Sequence, residues 1–81
     1  MTEAVLQKLT GVFREVFDDP ALVATAAMTA KDVKRWDSLS HIDMIVAVEE
    51  AFGVRIATRE ATSFKNVGDL ARMILAKSNK A

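Results

Sequence analysis

Near the N-terminus Val5, Leu6, Leu9, Val12, Phe13, Val16 and Phe17 recur every three to four residues, the spacing of a helix with one apolar face. Thr2 stands at an N-cap position with Glu3 in the first turn, and Asp18-Asp19-Pro20 reads as a stop, so the pattern predicts a helix ending near Asp18. Gly11 inside it costs about 1 kcal/mol against alanine, too little to break the element. From Pro20 to Trp36 no periodicity is sustained, and a connection of this length is usually functional or pinned by its own side chains. Leu22, Val23, Met28, Val33 and Trp36 are the candidate pins, and Thr29-Ala30-Lys31-Asp32 matches a capping box around a helical turn.

Periodicity returns at Ser38 and runs to Phe52, with Gly53 at a C-terminal cap position. Val54 to Ala57 is an extended link, Thr58 to Ser63 is long enough for one short helical turn, and Phe64 is a candidate core anchor. Asn66 and Asp69 form a capping pair for a last helix whose buried stripe is Val67, Leu70, Ala71, Met73 and Ile74. The prediction is an all-α bundle of three long helices plus one or two short ones, forming one domain over residues 1–81 with a frayed tail from about 78 to 81. Phe13, Phe17, Met44, Ile45, Val48, Phe52, Phe64, Leu70 and Ile74 are its expected core.

Composition narrows what such a bundle does. Eighty-one residues without a Gly/Pro/Ser-rich linker close a single core and leave no room for a deep enclosed active site. Eleven basic residues balance eleven acidic ones, so the positive excess that drives phosphate-backbone binding is missing and no nucleic-acid partner is expected. With no cysteine and a single histidine, His41, neither thiol chemistry nor a zinc cluster is expected, and any reactive thiol must come from a prosthetic group. No basic segment leads an apolar stretch at the N-terminus, and the longest apolar run is Met44 to Val48; the reading is a soluble cytoplasmic monomer without membrane insertion.

The stretch from Trp36 to Gly53 carries the chemistry. Ser38 stands where the long loop meets a helix N-terminus, and the unpaired amides and helix dipole there favour an anionic phosphate on its hydroxyl. Simple capping by Asp37 and Ser38 explains the same residues, and Ser40 with Asp43 matches a capping box of its own. At about 100° per residue, His41, Met44, Ile45, Val48, Ala51 and Phe52 fall on one side of this helix as a core face. Asp43, Glu49 and Glu50 fall on the other, with Leu39, Ile42 and Val46 among them, and apolar residues grouped beside acids next to a modifiable serine read as a contact surface. Ser38, His41 and Asp43 do not make a hydrolase triad: His41 and Asp43 point about 160° apart on the helix, and no Gly-x-Ser-x-Gly elbow surrounds the serine.

Asp37-Ser38-Leu39, the acidic, apolar-studded helix ending in Glu49-Glu50-Ala51-Phe52-Gly53, and Phe64-Lys65-Asn66-Val67-Gly68-Asp69-Leu70 together resemble the acyl carrier protein family over nearly the whole chain. The resemblance implies an acyl-carrier-like bundle that catalyses nothing itself. Ser38 would receive phosphopantetheine from coenzyme A through a phosphopantetheinyl transferase, with Asp37 and Leu39 as its motif neighbours. Acyl groups would ride the arm as thioesters to acyl-loading and acyl-processing enzymes of fatty acid, polyketide or related biosynthesis. Leu39, Ile42, Asp43, Val46, Glu49 and Glu50 match the family's partner-recognition helix. The neutral overall charge, Lys31, Lys34 and Arg35 before the site, and Trp36 and Ser40 around it look more like discrete carriers of specialised pathways than housekeeping ones. Two rivals remain at this level: an aminoacyl or peptidyl carrier, which usually has glycines and a histidine where this chain has Arg35-Trp36-Asp37, and a helical interaction module without a prosthetic group.

Overall fold

The computed structural model describes residues 2–78, and all regular structure among them is helical. Helix α1 (Glu3–Val16) leads into a long loop holding one 3-10 turn (Ala30–Asp32), followed by α2 (Ser38–Phe52), the short α3 (Thr58–Ala61) and α4 (Val67–Ser78). This is the expected bundle of three long helices with short pieces between them. The expected frayed tail lies outside the described residues except for Ser78, which is still helical and donates its hydroxyl to the Ile74 carbonyl at 2.6 Å.

The apolar stripes meet in one core. Leu9 and Phe13 of α1, Met44 and Val48 of α2, and Val67, Leu70 and Ile74 of α4 are fully buried, with Phe17 beside them. Two expected core residues are only half-buried. Phe52, at the end of α2, has the Lys8 ammonium 5.0 Å above its ring, and Phe64 stacks on His41. Helix α1 stops at Val16, earlier than its pattern suggests. Phe17 still donates its amide to Phe13 and stays in the core, whereas Asp18 turns into the left-handed region at φ 51°, which a short polar side chain tolerates better than most. Thr2 caps α1 only through its carbonyl, which accepts the Leu6 amide at 2.8 Å; its hydroxyl makes no cap bond.

The long loop is pinned on two sides. The Thr10 hydroxyl accepts the Ala24 amide at 2.9 Å and the Arg14 Nε donates to the Leu22 carbonyl at 2.7 Å, fastening the loop to α1. The Met28 and Ala26 carbonyls accept the Val67 and Gly68 amides at 2.8 and 2.9 Å, so the loop also caps α4. Leu22 and Ala24 are buried, whereas Val23, expected as a pin, is 55% exposed because an extended segment turns alternate side chains to opposite sides. The Thr29–Asp32 capping box forms as expected.

Loop docking makes two glycines behave oppositely. A Cβ on Gly68 would lie 2.9 Å from the Ala26 carbonyl oxygen and 3.1 Å from the Ala26 Cβ, whereas nothing lies within 4 Å of one on Gly11. Gly11→Ala should therefore stabilise the protein by up to about 1 kcal/mol through helix propensity. Gly68→Ala should destabilise it by roughly 1–2 kcal/mol, because overpacking against a backbone atom outweighs that gain. Urea denaturation of both variants checks the signs; a more stable Gly68→Ala would mean the loop yields freely.

Candidate functional site

Helix α2 starts on a two-way cap. The Asp37 carboxylate accepts the Leu39 and Ser40 amides at 3.0 and 2.9 Å, while the Ser40 hydroxyl accepts the Asp37 amide at 2.8 Å and donates to the Arg35 carbonyl at 2.6 Å. The Ser40 amide above all, aided by the Ser40 hydroxyl and the Leu39 amide, holds the Asp37 carboxyl below its usual range. The capping box at this helix therefore pairs Ser40 with Asp37, not with Asp43. Its consequence is that the second and third amides of the helix are spoken for, and only the Ser38 amide has no partner among the described residues.

Ser38 itself is exposed, and its hydroxyl makes no hydrogen bond among the described residues. The other three serines are engaged: Ser40 as above, Ser63 through the Glu60 carbonyl at 2.9 Å, and Ser78 through that of Ile74. Ser38 borders neither of two surface clefts, one of about 530 Å³ beneath Phe17, Leu22, Met28 and Val33, the other of about 410 Å³ beside Val46, Glu50, Val54 and Arg55. It stands on open surface, reachable by another protein.

Beyond Ser38, Leu39, Ile42 and Val46 are 76%, 61% and 48% exposed, an apolar strip on solvent-facing α2. Asp43 and Glu50 are exposed beside it and make no ion pair among the described residues. Glu49 departs from this pattern. It is half-buried, and its Oε2 accepts the Ile56 amide at 2.8 Å, so it fastens the link after α2 and is not a freely solvated acid. Arg55, outside the segment singled out in the sequence, closes the far end of this face; no periodicity marks it, because it lies in an extended link.

His41 sits at the edge of the core with both ring nitrogens committed. Trp36 Nε1 lies 3.0 Å from Nδ1, and the Ala61 carbonyl lies 2.7 Å from Nε2. It has no nitrogen to spare as a base for Ser38, which removes the hydrolase arrangement on geometry as well. Among the described residues no cluster of three potential metal ligands occurs, and no helix is long and apolar enough to cross a membrane.

The family described as "Phosphopantetheine attachment site" matches residues 35–74. The acyl carrier protein of Acidothermus cellulolyticus is 37% identical over 67 residues, covering 83% of this chain and 80% of that protein. That of Helicobacter pylori is 36% identical over 72 residues, covering 88% and 91%. The solution NMR structure of the holo acyl carrier protein from Geobacter metallireducens superposes with a TM-score of 0.86 at 43% identity, over 93% of this chain and 86% of that one. The chain belongs to the acyl carrier protein family. An acyl carrier protein has phosphopantetheine as its prosthetic group, and the start of α2 fits one: an exposed, unbonded hydroxyl on Ser38 with its own amide free to meet a phosphate oxygen. The fit differs from the sequence expectation in one respect. Asp37 already answers the neighbouring amides, so the helix end offers the phosphate one amide and not several. Neither rival reading is favoured by these relatives, all of which are acyl carriers.

Proposed function

We propose that Ser38 is the attachment residue and that the protein carries acyl groups, as a monomeric cytoplasmic carrier with residues 1–81 acting as one domain. The observation that supports this most directly is that Ser38 alone among the four serines presents an exposed hydroxyl with no hydrogen bond among the described residues. In loading, the Ser38 oxygen forms a bond to the phosphorus that bears pantetheine in coenzyme A. The bond from that phosphorus to the adenosine bisphosphate part breaks, and the hydroxyl proton leaves to the transferase. The bound group then supplies a thiol that holds acyl groups as thioesters. This chain's own residues hold and present: Asp37 and Ser40 fix the helix start, and tethering raises the local concentration of cargo at each enzyme visited. Incubation with coenzyme A, Mg²⁺ and a broad-specificity transferase, followed by peptide mapping by mass, should place the adduct on Ser38. An adduct on Ser40 or Ser63 would overturn the assignment.

The partner face in this reading is the exposed strip Leu39, Ile42 and Val46 with Asp43 and Glu50, approached by basic surfaces of the transferase and the acyl-loading and acyl-processing enzymes. Glu49 contributes from the edge, with one carboxylate oxygen held by Ile56. Asp43→Lys with Glu50→Lys should slow transfer by roughly ten-fold at low salt and flatten its salt dependence, since steering of this size is screened as salt rises. Val46→Asp should weaken docking, and all three changes should leave the fold intact. Transfer kinetics against ionic strength decide it. Unchanged kinetics in the double variant would move the docking face to the loop cations Lys31 and Lys34. A discrete carrier serving a specialised pathway fits the even charge and the Trp36 and Ser40 side chains around the site.

A further inference from the structure

His41 lies three residues beyond Ser38 and is a titratable side chain that joins three separate segments. Trp36 from the loop, Ala61 from α3, and Phe64 from the segment before α4 all meet its ring. The chemistry of the partners fixes its protonation state. An indole N–H only donates, so Nδ1 must accept from Trp36; a carbonyl only accepts, so Nε2 must carry the hydrogen that points at Ala61. Only the neutral Nε2–H tautomer satisfies both. The Trp36 and His41 rings lie nearly parallel, 19° apart, and Phe64 stacks with its centroid 5.6 Å from the imidazole.

We propose that His41 is a proton-operated latch on the segment that precedes Ser38: when neutral it ties Trp36 to the first turn of α2, and on taking a proton at Nδ1 it lets Trp36 go. The imidazolium would bring an N–H of its own against the Trp36 N–H, two donors with no acceptor between them. The Ala61 bond survives protonation, and the Phe64 ring face accepts a cation, so the release is confined to the loop side. No carboxylate pairs with the ring among the described residues. Asp37 spends its carboxylate on the Leu39 and Ser40 amides, Arg35 pairs with Asp18, and Glu60 pairs with Lys77 and accepts the Ala57 amide. Lys34 and Lys65 are exposed cations, and the N-terminal end of α2 also disfavours one more.

Release matters because the loop before Ser38 is held to α2 at two side chains, Ser40 on the Arg35 carbonyl and His41 on Trp36. Loss of the second leaves the half-buried indole N–H without an acceptor, although the indole still packs on Phe13 and Phe17 at 5.5 and 5.3 Å. The loop then loosens next to the serine without unfolding the core. The proposal does not depend on Ser38 carrying an arm, and the unmodified protein tests it.

Trp36 is the only tryptophan, so its emission and acrylamide quenching report the latch directly. Acidification through roughly pH 8 to 5, where imidazoles titrate, should make Trp36 more quenchable in one proton-linked step. That step should vanish in His41→Gln, whose amide does not titrate. Ring ¹⁵N shifts of His41 should report the Nε2–H tautomer at neutral pH. In Trp36→Phe, which keeps an aromatic ring but removes the donor, the backbone amide of Ser38 should no longer move with pH as it does in the wild type. An Nδ1–H tautomer, an unchanged quenching step in His41→Gln, or a persisting Ser38 movement in Trp36→Phe would each overturn the latch. Should His41→Gln fail to fold, the Trp36→Phe spectra decide alone.

Discussion

Ser38→Ala is expected to abolish phosphopantetheine loading while leaving stability within about ±0.5 kcal/mol of the wild type, as for other surface substitutions away from structural features. The hydroxyl it removes is exposed and holds nothing in place. Ser40→Ala should behave in the opposite way. Its hydroxyl accepts the Asp37 amide and donates to the Arg35 carbonyl, so removing it should cost about 1–2 kcal/mol for two hydrogen bonds at the mouth of α2, with loading at Ser38 retained. The pair separates chemistry from scaffolding two residues apart on one helix. Intact mass after transferase treatment and urea denaturation of both variants supply the two readouts. A loaded Ser38→Ala, or one destabilised as much as Ser40→Ala, would sink the assignment.

What could be read from the sequence is what local rules determine. Helix α2 was legible at both ends: a cap residue at Asp37 and a glycine at Gly53, which adopts φ 64°, frame an apolar stripe. The exposure of Leu39, Ile42 and Val46 followed from helical geometry alone. Within the loop only the Thr29–Asp32 capping box was legible, because the anchors join residues far apart in sequence: Met28 to Val67 and Ala26 to Gly68 through the backbone, Ala24 and Leu22 to the Thr10 and Arg14 side chains. The same holds for Glu49. Its position on the helix marks it as solvated, but the chain after Gly53 turns back and brings the Ile56 amide to its carboxylate. The choice of Ser40's partner was missed for a local reason: both Asp37 and Asp43 lie three residues away, and only the helix start, one residue after Asp37, decides between them. His41 was legible as a residue of the core face, whereas its two hydrogen-bond partners, Trp36 and Ala61, come from segments without periodicity.

Phe13→Ala should produce the largest loss of stability of any single change considered, about 3–5 kcal/mol. The ring is completely buried, and it touches both Phe17, at 5.5 Å and 73°, and Trp36, at 5.5 Å and 64°. Nothing large stands ready to fill the space, since Phe17 is already packed and Trp36 is held by His41. A domain of 81 residues at roughly 0.05–0.15 kcal/mol per residue has about 4–12 kcal/mol of stability in all. Truncation at Phe13 thus removes from about a quarter to all of it, and where the total stability is at the lower end of that range the variant is largely unfolded at room temperature. By contrast Ile42→Ala, on the exposed strip of α2, should change stability by less than about 0.5 kcal/mol while still affecting docking. Urea denaturation followed by circular dichroism and by Trp36 emission measures both, and a Phe13→Ala loss below about 1 kcal/mol would mean that the three rings do not pack as one cluster. The two probes carry a further expectation. Because Trp36 bridges this cluster to the loop ahead of Ser38, its emission should shift red in Phe13→Ala before the helical signal falls, with the loop parting from α1 while α1 stays packed on α2 and α4.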